Sequence, residues 1–140
     1  MKRIVVLLFL IAVLHFGANI FGVYDMQIRA GFVWFDNVLH LLVGIVFGLF
    51  WLSLVQDRLR EKGKSFWYIA ATTVLFVFAM ALVWEVGEFF FLTIVPAVAH
   101  NLNIYSTSVQ EAVADMLSNI VGVGLLLVWC RMQLTRKGSE

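Results

Sequence analysis

Charge, cysteine and proline are scarce in this sequence, and the first two scarcities exclude classes of protein. Only 14% of the 140 residues are charged and 62% are hydrophobic, whereas soluble domains average about 25% charged and about 45–50% apolar residues. Cys130 is the only cysteine, which leaves neither an internal disulfide nor a cysteine-based metal site. No basic cluster interleaved with aromatics and no glycine-rich phosphate loop is visible, so nucleic acid is not an expected partner. The composition predicts a single integral membrane domain over residues 1–140.

Four apolar stretches are long enough to cross a bilayer as helices, which takes about 20 residues each. They are residues 4–22, 37–55, 66–95 and 109–132. We interpret the first as an uncleaved membrane helix, because Phe16 stands two residues before Ala18, where signal-peptide cleavage requires a small residue. The third is longer than a bilayer requires and ends before Pro96, the only proline. The expected fold class is therefore all-α, an integral membrane four-helix transmembrane bundle.

The segments between these spans are polar. We expect residues 23–35 to form a loop, with a short surface helix as an alternative, and residues 56–65 to form a charged loop that turns at Gly63. Residues 97–107 are expected to be irregular and residues 133–140 to be a polar tail. Ser108 and Glu111 have the spacing of a capping box at the start of the last helix.

The basic residues predict the orientation of the chain in its membrane. Nine of the ten precede the first span, lie between the second and third, or follow the fourth, and Arg29 is the exception. If four spans alternate in direction, those nine residues lie on one side. We therefore expect a multi-pass protein of the cytoplasmic (inner) membrane with both its N- and C-termini in the cytoplasm.

Polar residues within the spans are expected to meet on the non-cytoplasmic side. They occupy the end of the first span, the start of the second, the end of the third and the start of the fourth, at i,i+3 or i,i+4 spacing that puts each set on one helical face. They are His15, Asn19, Asp36, His40, Glu85, Glu88, Asp115 and Asn119. Carboxylates buried together need a proton, a hydrogen bond or a cation between them. We expect Glu85 and Glu88 to form such a pair within one buried polar cluster, beneath the loops that flank the second and fourth spans.

Three motifs in these spans resemble those of the VanZ-like family and of related small inner-membrane proteins of the YjdF type. They are Asp36-x-x-x-His40 at the start of one helix, Glu85-x-x-Glu88 near the end of the next, and Asp115-x-x-x-Asn119-x-x-Gly122 at the start of the last. The resemblance implies a four-helix bacterial or archaeal envelope protein, whose VanZ relatives are associated with glycopeptide (teicoplanin) resistance. Many VanZ-like members have glutamine where Glu88 stands.

The candidate site residues are the titratable groups of this cluster. Candidate catalytic residues are Glu85, Glu88, His40 and Asp115, and the candidate ligands of a divalent metal ion of unknown identity are Asp36, His40, Glu85, Glu88 and Asp115. Alternatives stay open: Asp36 also suits a helix N-cap, His40 a hydrogen-bonded bundle histidine, and the glutamates protonated structural groups. Asn119 is expected to hydrogen-bond between helices. For His15 and Asn19, which lie outside the motifs, we favour a structural role and leave a role in the site open as the alternative.

Three kinds of function are compatible with such a cluster. The first is a membrane-embedded metal-assisted or acid/base enzyme, or a binder, that acts at the outer leaflet on a lipid- or glycan-linked substrate such as a lipid-linked envelope precursor. The second is a small proton- or cation-coupled transporter, although the apolar cytoplasmic halves of the spans offer no polar path within one protomer. The third is a structural protein in which the cluster only determines helix register.

Overall fold

A computed structural model describes residues 2–23, 34–101 and 108–137, and the regular structure in this part of the chain is helical. The helices are α1 (Lys2–Ile20), α2 (Phe35–Glu61), α3 (Phe66–Ile94), α4 (Pro96–Asn101) and α5 (Val109–Lys137). Among the described residues, three stretches are long and apolar enough to cross a membrane: Phe35–Val55, Phe66–Ile94 and Val109–Leu134. The all-α membrane class is confirmed. The helix expected as the first span, α1, has 19 residues and is not among these three.

Two helices extend further into charged sequence than predicted. Because α2 continues to Glu61, the loop expected over residues 56–65 is reduced to a turn at residues 62–65. Because α5 continues to Lys137, the described part of the expected tail is helical as well. Hydropathy marks where a helix leaves the apolar layer, whereas arginine, glutamate, glutamine and lysine all favour continued helix. Gly63 makes the turn with φ +66°, a left-handed conformation that glycine adopts readily.

Pro96 separates α3 from the short helix α4. Proline lacks an N–H and has a helix-compatible φ, so it cannot continue α3 but suits the first position of a new helix. Residues 97–101 are therefore helical rather than irregular, while residues 102–107 and 24–33 lie outside the described residues. The capping box of α5 is confirmed: the Ser108 N–H donates to Glu111 Oε2 at 2.8 Å, and the Glu111 N–H donates to Ser108 Oγ at 3.2 Å.

The central helix is α2, which contacts α1, α3 and α5. Its closest crossing is with α5, where a Cβ on Gly44 would overlap the backbone carbonyl of Asn119 and a Cβ on Gly122 would overlap that of Leu41. Gly48 lies against the Leu126 side chain one turn further along. Gly44 and Gly48, spaced four apart on α2, thus allow the close helix approach that small residues permit in membrane helices. The crossing brings Asn119 against the face of α2 that carries His40.

The buried apolar side chains lie between the helices, whereas the outer surface of the bundle is apolar and exposed. Three clusters of buried residues form the core: Ala70, Val77, Val123 and Leu127 between α3 and α5; Ile11, Leu39 and Val46 between α1 and α2; and Leu52, Ile69 and Leu126 among α2, α3 and α5. Large apolar side chains on the outside, such as Phe9 and Leu75, are 66% and 67% exposed. Lipid is the environment in which such an outer surface is stable.

Candidate carboxylate–histidine site

Asp36, in the first turn of α2, lies between two histidines. Its Oδ1 is 3.5 Å from Nδ1 of His15 and 3.7 Å from Nε2 of His40. The other ring nitrogen of His15 is 3.5 Å from Glu88 Oε1, and Nε2 of His40 is 3.8 Å from Asp115 Oδ2. These five residues alternate carboxylate and imidazole across α3, α1, α2 and α5, in the order Glu88, His15, Asp36, His40, Asp115. We refer to them as the carboxylate–histidine chain.

Helical spacing and the α2–α5 crossing together build this chain. Asp36 and His40 are one turn apart on α2, and Asp115 and Asn119 are one turn apart on α5, so each pair shares a face. The glycine contacts bring the two faces together, and His40 and Asp115 are consequently buried, at 7% and 4% exposure. His15 and Glu88 extend the chain toward α1 and α3, where burial is less complete.

Asn119 determines which nitrogen of His40 carries a hydrogen. Its amide Nδ2 donates to the backbone carbonyl of Asp115 at 2.9 Å and lies 3.0 Å from Nδ1 of His40. Because a carbonyl can only accept, it fixes the amide orientation, and Nδ1 must accept the second amide hydrogen. The neutral ring then carries its hydrogen on Nε2, which faces the carboxylates of Asp36 and Asp115.

His15 has the opposite environment. A carboxylate oxygen lies near each of its ring nitrogens, Asp36 at one and Glu88 at the other. Only the imidazolium form has a donor for both, since a neutral ring carries a single N–H. The two histidines therefore differ in role. His40 donates a hydrogen only from Nε2, whereas His15 can exchange protons with a carboxylate at either ring nitrogen.

The sequence predicts a proton, a hydrogen bond or a cation between Glu85 and Glu88, and no hydrogen bond joins these two residues. Glu88 contacts His15, whereas Glu85 is 8% exposed and neither of its oxygens hydrogen-bonds to a described residue. Residues three apart on a helix differ by about 60° around its axis, enough to give them different neighbours. Glu85 continues the buried stripe of α3 that includes Val77 and Ala81. A carboxylate buried in this way needs a proton or a bound partner.

Part of the predicted metal site is present as a group of ligand atoms. One atom each from Asp36, His40 and Asp115 lie within 4.8 Å of one another, a spacing at which they could hold a metal ion. Glu85 and Glu88, the other two predicted ligands, do not belong to this group among the described residues. The hydrogen bond from Asn119 opposes metal binding, because a metal would need the lone pair of Nε2 while Nδ1 donated to an acceptor. That would require the Asn119 amide to turn over and put its oxygen against the Asp115 carbonyl.

A cavity of about 500 Å³ lies beside the carboxylate–histidine chain, between α1, α2 and α3. Its polar lining is His15, His40, Glu88 and Asn119, and the remainder is apolar or aromatic. The Trp84 ring closes one side, 5.5 Å from the His15 ring and 6.5 Å from the Phe16 ring between centroids. Three members of the carboxylate–histidine chain, His15, His40 and Glu88, are thus at the polar end of a largely apolar cavity.

Several sequence interpretations change with this geometry. His15, interpreted as structural, contacts two carboxylates and lines the cavity; its depth in α1, level with Asp36 and Glu88, was the available signal. Asp36 is the second residue of α2 rather than its cap. Asn119 makes the interhelical contact expected of it. Asn19 belongs to α1, and its side chain lies outside the described residues. The catalytic roles of Glu85, Glu88, His40 and Asp115 stay predictions.

A family model described as "Predicted membrane protein (DUF2238)" matches residues 2–136, from the start of α1 into the last turn of α5. No curated protein and no solved structure matches the chain.

Proposed function

The chain belongs to the family of predicted membrane proteins (DUF2238), and from the site of this member we propose that it is an intramembrane binding protein with acid–base groups at its site. The cavity between α1, α2 and α3 takes the apolar part of an amphipathic membrane molecule, and the carboxylate–histidine chain engages the polar part. The observation that carries this proposal is the continuity of the apolar cavity with His15, His40 and Glu88.

The size and lining of the cavity support a ligand site. Sites for small molecules are concave, mostly apolar, about 300–1,000 Å³ in volume, and carry a few convergent polar groups. In this cavity α1 contributes Leu8, Ile11 and Ala12, while α3 contributes Met80 and Gly87. The two helices are in contact where His15 meets Glu88. Nearer the start of α1 the cavity lies between them. A molecule dissolved in the bilayer would enter between them.

The chemistry available to a bound ligand is proton exchange. Glu88 lines the cavity and contacts His15, whose other nitrogen faces Asp36. A proton given to Glu88 by a ligand could therefore pass through the imidazole to Asp36, as in the carboxylate and histidine relays of membrane proteins. In an enzyme of this design Glu88 would be the general acid or base.

The proposal includes the topology that the basic residues favour. In it α1 is a fourth span, the protein is a multi-pass component of the inner membrane, and both termini are cytoplasmic. The polar end of the cavity then lies toward the outer leaflet.

The cavity can be tested by filling it. Gly87 lines the cavity, and a Cβ there would meet nothing within 4 Å, so Gly87→Phe should place a ring in the cavity without displacing backbone. We expect a photoactivatable long-chain alcohol to label residues of α1 and α3 around the cavity in lipid nanodiscs. Peptide mapping should show that Gly87→Phe reduces this labelling severalfold.

Gly124→Phe is the matched control, because a Cβ at Gly124 also meets nothing within 4 Å but this residue is not part of the described cavity lining. Labelling at the cavity should be unchanged in this variant. Equal labelling in wild type and Gly87→Phe would contradict the proposed site.

A divalent metal site is the second candidate, favoured by the ligand group of Asp36, His40 and Asp115. In this alternative the ion would polarise or neutralise an oxygen of the ligand. It predicts that protein purified without chelator holds about one equivalent of metal, as structural and catalytic sites with full occupancy do, and that Asp115→Asn removes it. Metal-free protein whose thermal stability is unaffected by chelator would exclude this alternative.

The identity of a natural ligand remains a further proposal. The resemblance to the VanZ-like family suggests a lipid-linked envelope precursor and a part in glycopeptide resistance. Such precursors would bring an anionic group to the carboxylates of the carboxylate–histidine chain. This version therefore requires that a metal ion or protons neutralise those carboxylates. Proton- or cation-coupled transport would require a polar path toward the other end of the bundle, which a second protomer would have to supply.

A further inference from the structure

The charge at the polar end of the cavity discriminates between ligand classes. Within the described lining, Glu88 is the acidic residue, and the lining includes no lysine or arginine. The next carboxylate along the carboxylate–histidine chain is that of Asp36, on the other side of the His15 ring. An anionic group would therefore face the Glu88 carboxylate with that of Asp36 beyond His15, whereas a cation would be attracted to both.

The histidines do not reverse this preference. His40 receives a hydrogen bond at Nδ1 from Asn119, which holds it in the neutral form with its hydrogen on Nε2. His15 can carry one positive charge, and it lies between the carboxylates of Asp36 and Glu88. One imidazolium does not balance the carboxylates around it, so an attraction for cations remains.

The wall of the cavity has the aromatic composition that recognises organic cations. Phe16, Phe47, Trp84 and Phe91 line it together with Met80. Aromatic faces attract cations that have lost their water, tryptophan most strongly. Methionine adapts its shape to different apolar partners. A small metal ion would make no use of these walls.

We infer that the ligand is a lipophilic organic cation, such as a quaternary ammonium or phosphonium compound, held with its charge at Glu88 and its apolar substituents among the aromatic residues of the cavity. This inference rests on the proposed function, since it uses the same cavity, and it adds the sign of the charge. Glu88 supplies the ionic partner and Trp84 supplies the largest aromatic face. The neutral His40 adds no positive charge that would repel the cation.

A pair of probes with the same shape and opposite charge tests the inference. Tetraphenylphosphonium and tetraphenylborate differ in the sign of their charge and little in size. We expect saturable binding of tetraphenylphosphonium to wild-type protein in lipid nanodiscs, measured by equilibrium dialysis after subtraction of empty nanodiscs. Tetraphenylborate should show no saturable binding. Saturable binding of the borate with equal or greater affinity would overturn the inference.

Three substitutions test which side chains bind the cation. Glu88→Gln should weaken tetraphenylphosphonium binding at least about tenfold, a change that corresponds to ~1.4 kcal/mol. Glu61→Gln, the same exchange at an exposed position at the end of α2, should leave it unchanged. Trp84→Leu keeps the carboxylate but removes the aromatic face, and it should also weaken binding. An unchanged affinity in folded Glu88→Gln protein would overturn the inference.

The outcomes separate this inference from the proposed function. If tetraphenylborate binds and Gly87→Phe abolishes its binding, the cavity is a ligand site but its preference is not for cations. If neither ion binds saturably and the photoactivatable alcohol does not label the cavity, the proposed function fails and the inference fails with it.

Discussion

At the scale of single residues, Asn119 decides the chemistry of the site. It is 1% exposed, and its amide nitrogen is shared between the Asp115 carbonyl and His40 Nδ1. Its Oδ1 has no hydrogen-bond partner among the described residues, so the hydrogen bonds described for this amide are those of its NH₂ group. Because this NH₂ group occupies Nδ1 of His40, the ring hydrogen lies on Nε2 and faces Asp36 and Asp115. A residue predicted only to connect helices therefore also selects a tautomer.

The tautomer of His40 is the first prediction. Nitrogen-15 NMR of histidine-labelled protein should show His40 with hydrogen on Nε2 in the wild type, because Nδ1 accepts from Asn119. Asn119→Ala removes the donor and should allow Nδ1 to be protonated in part of the molecules. The His40→Gln spectrum identifies the resonances.

The same substitution should reduce stability. Loss of a buried hydrogen-bonding partner typically lowers the free energy of unfolding by about 1–3 kcal/mol. Thermal unfolding in detergent would measure the change. Ser118→Ala is the control on the same helix: it removes the hydrogen bonds of the Ser118 hydroxyl to the Ala114 carbonyl and to Asn37 Oδ1 on α2, and it leaves the His40 contact in place. A wild-type spectrum with hydrogen on Nδ1 of His40 would contradict the account of Asn119.

At the scale of helices, the crossing of α2 and α5 holds the site in register. Gly44 and Gly122 allow each backbone to reach the other, and this contact lies beside Asn119 and Leu41. His40 precedes Gly44 by one turn, so the distance between these helices sets the distance from His40 to Asn119. Packing and site geometry are therefore controlled by the same contact.

The second prediction concerns these glycines. A Cβ at Gly44 or Gly122 would overlap backbone of the neighbouring helix, which cannot move aside as a side chain can. We expect Gly44→Ala and Gly122→Ala each to lower the free energy of unfolding by about 1–3 kcal/mol, the usual effect of overpacking. Thermal or denaturant unfolding in a fixed detergent would measure it.

Gly124→Ala, also on α5, is the matched control, because a Cβ there meets nothing within 4 Å. It should be neutral or stabilising by up to about 1 kcal/mol through helix propensity. Equal stability of all three alanine variants would show that the crossing is looser than described. The NMR signal of His40 should change in the first two variants and not in the control.

At the scale of the whole molecule, the two ends of the bundle differ in chemistry. One end holds the carboxylate–histidine chain, and the other holds basic residues beside aromatic rings, where Lys64 Nζ lies 4.9 Å from the Tyr68 ring centre and Arg131 Cζ lies 4.8 Å from that of Trp67. Tyrosine and tryptophan are enriched at both membrane–water interfaces, and an excess of lysine and arginine is typical of the cytoplasmic one.

The third prediction is the orientation that follows. In a Cys130→Ser background, the Gln110→Cys variant should react with a membrane-impermeant maleimide in intact cells. The Asp57→Cys variant should react only after the membrane is permeabilised, because exposed residue 57 lies at the basic end of α2. A tag ahead of α1 should behave like residue 57 if α1 is a span. The reverse pattern of labelling would contradict the cytoplasmic placement of the termini.

Much of the architecture was predictable from local properties. The span expected at residues 66–95 corresponds to α3, Phe66–Ile94, and Ser108 with Glu111 was recognised as a cap from spacing alone. The helix ends near residues 56 and 133 were not predictable from hydropathy, because helix continues into charged sequence that stays helical outside the apolar layer.

Membrane class, helical content and the set of polar faces follow from hydropathy and the 3.6-residue period, which depend only on neighbours along the chain. Which faces meet, and at what distance, depends on helix crossings and on side chains from distant parts of the chain. Only the tertiary structure therefore decided that Glu85 and Glu88 have different neighbours, that His15 contacts both Asp36 and Glu88, and that Asn119 sets the tautomer of His40. The cavity likewise exists only because α1, α2 and α3 pack with space between them.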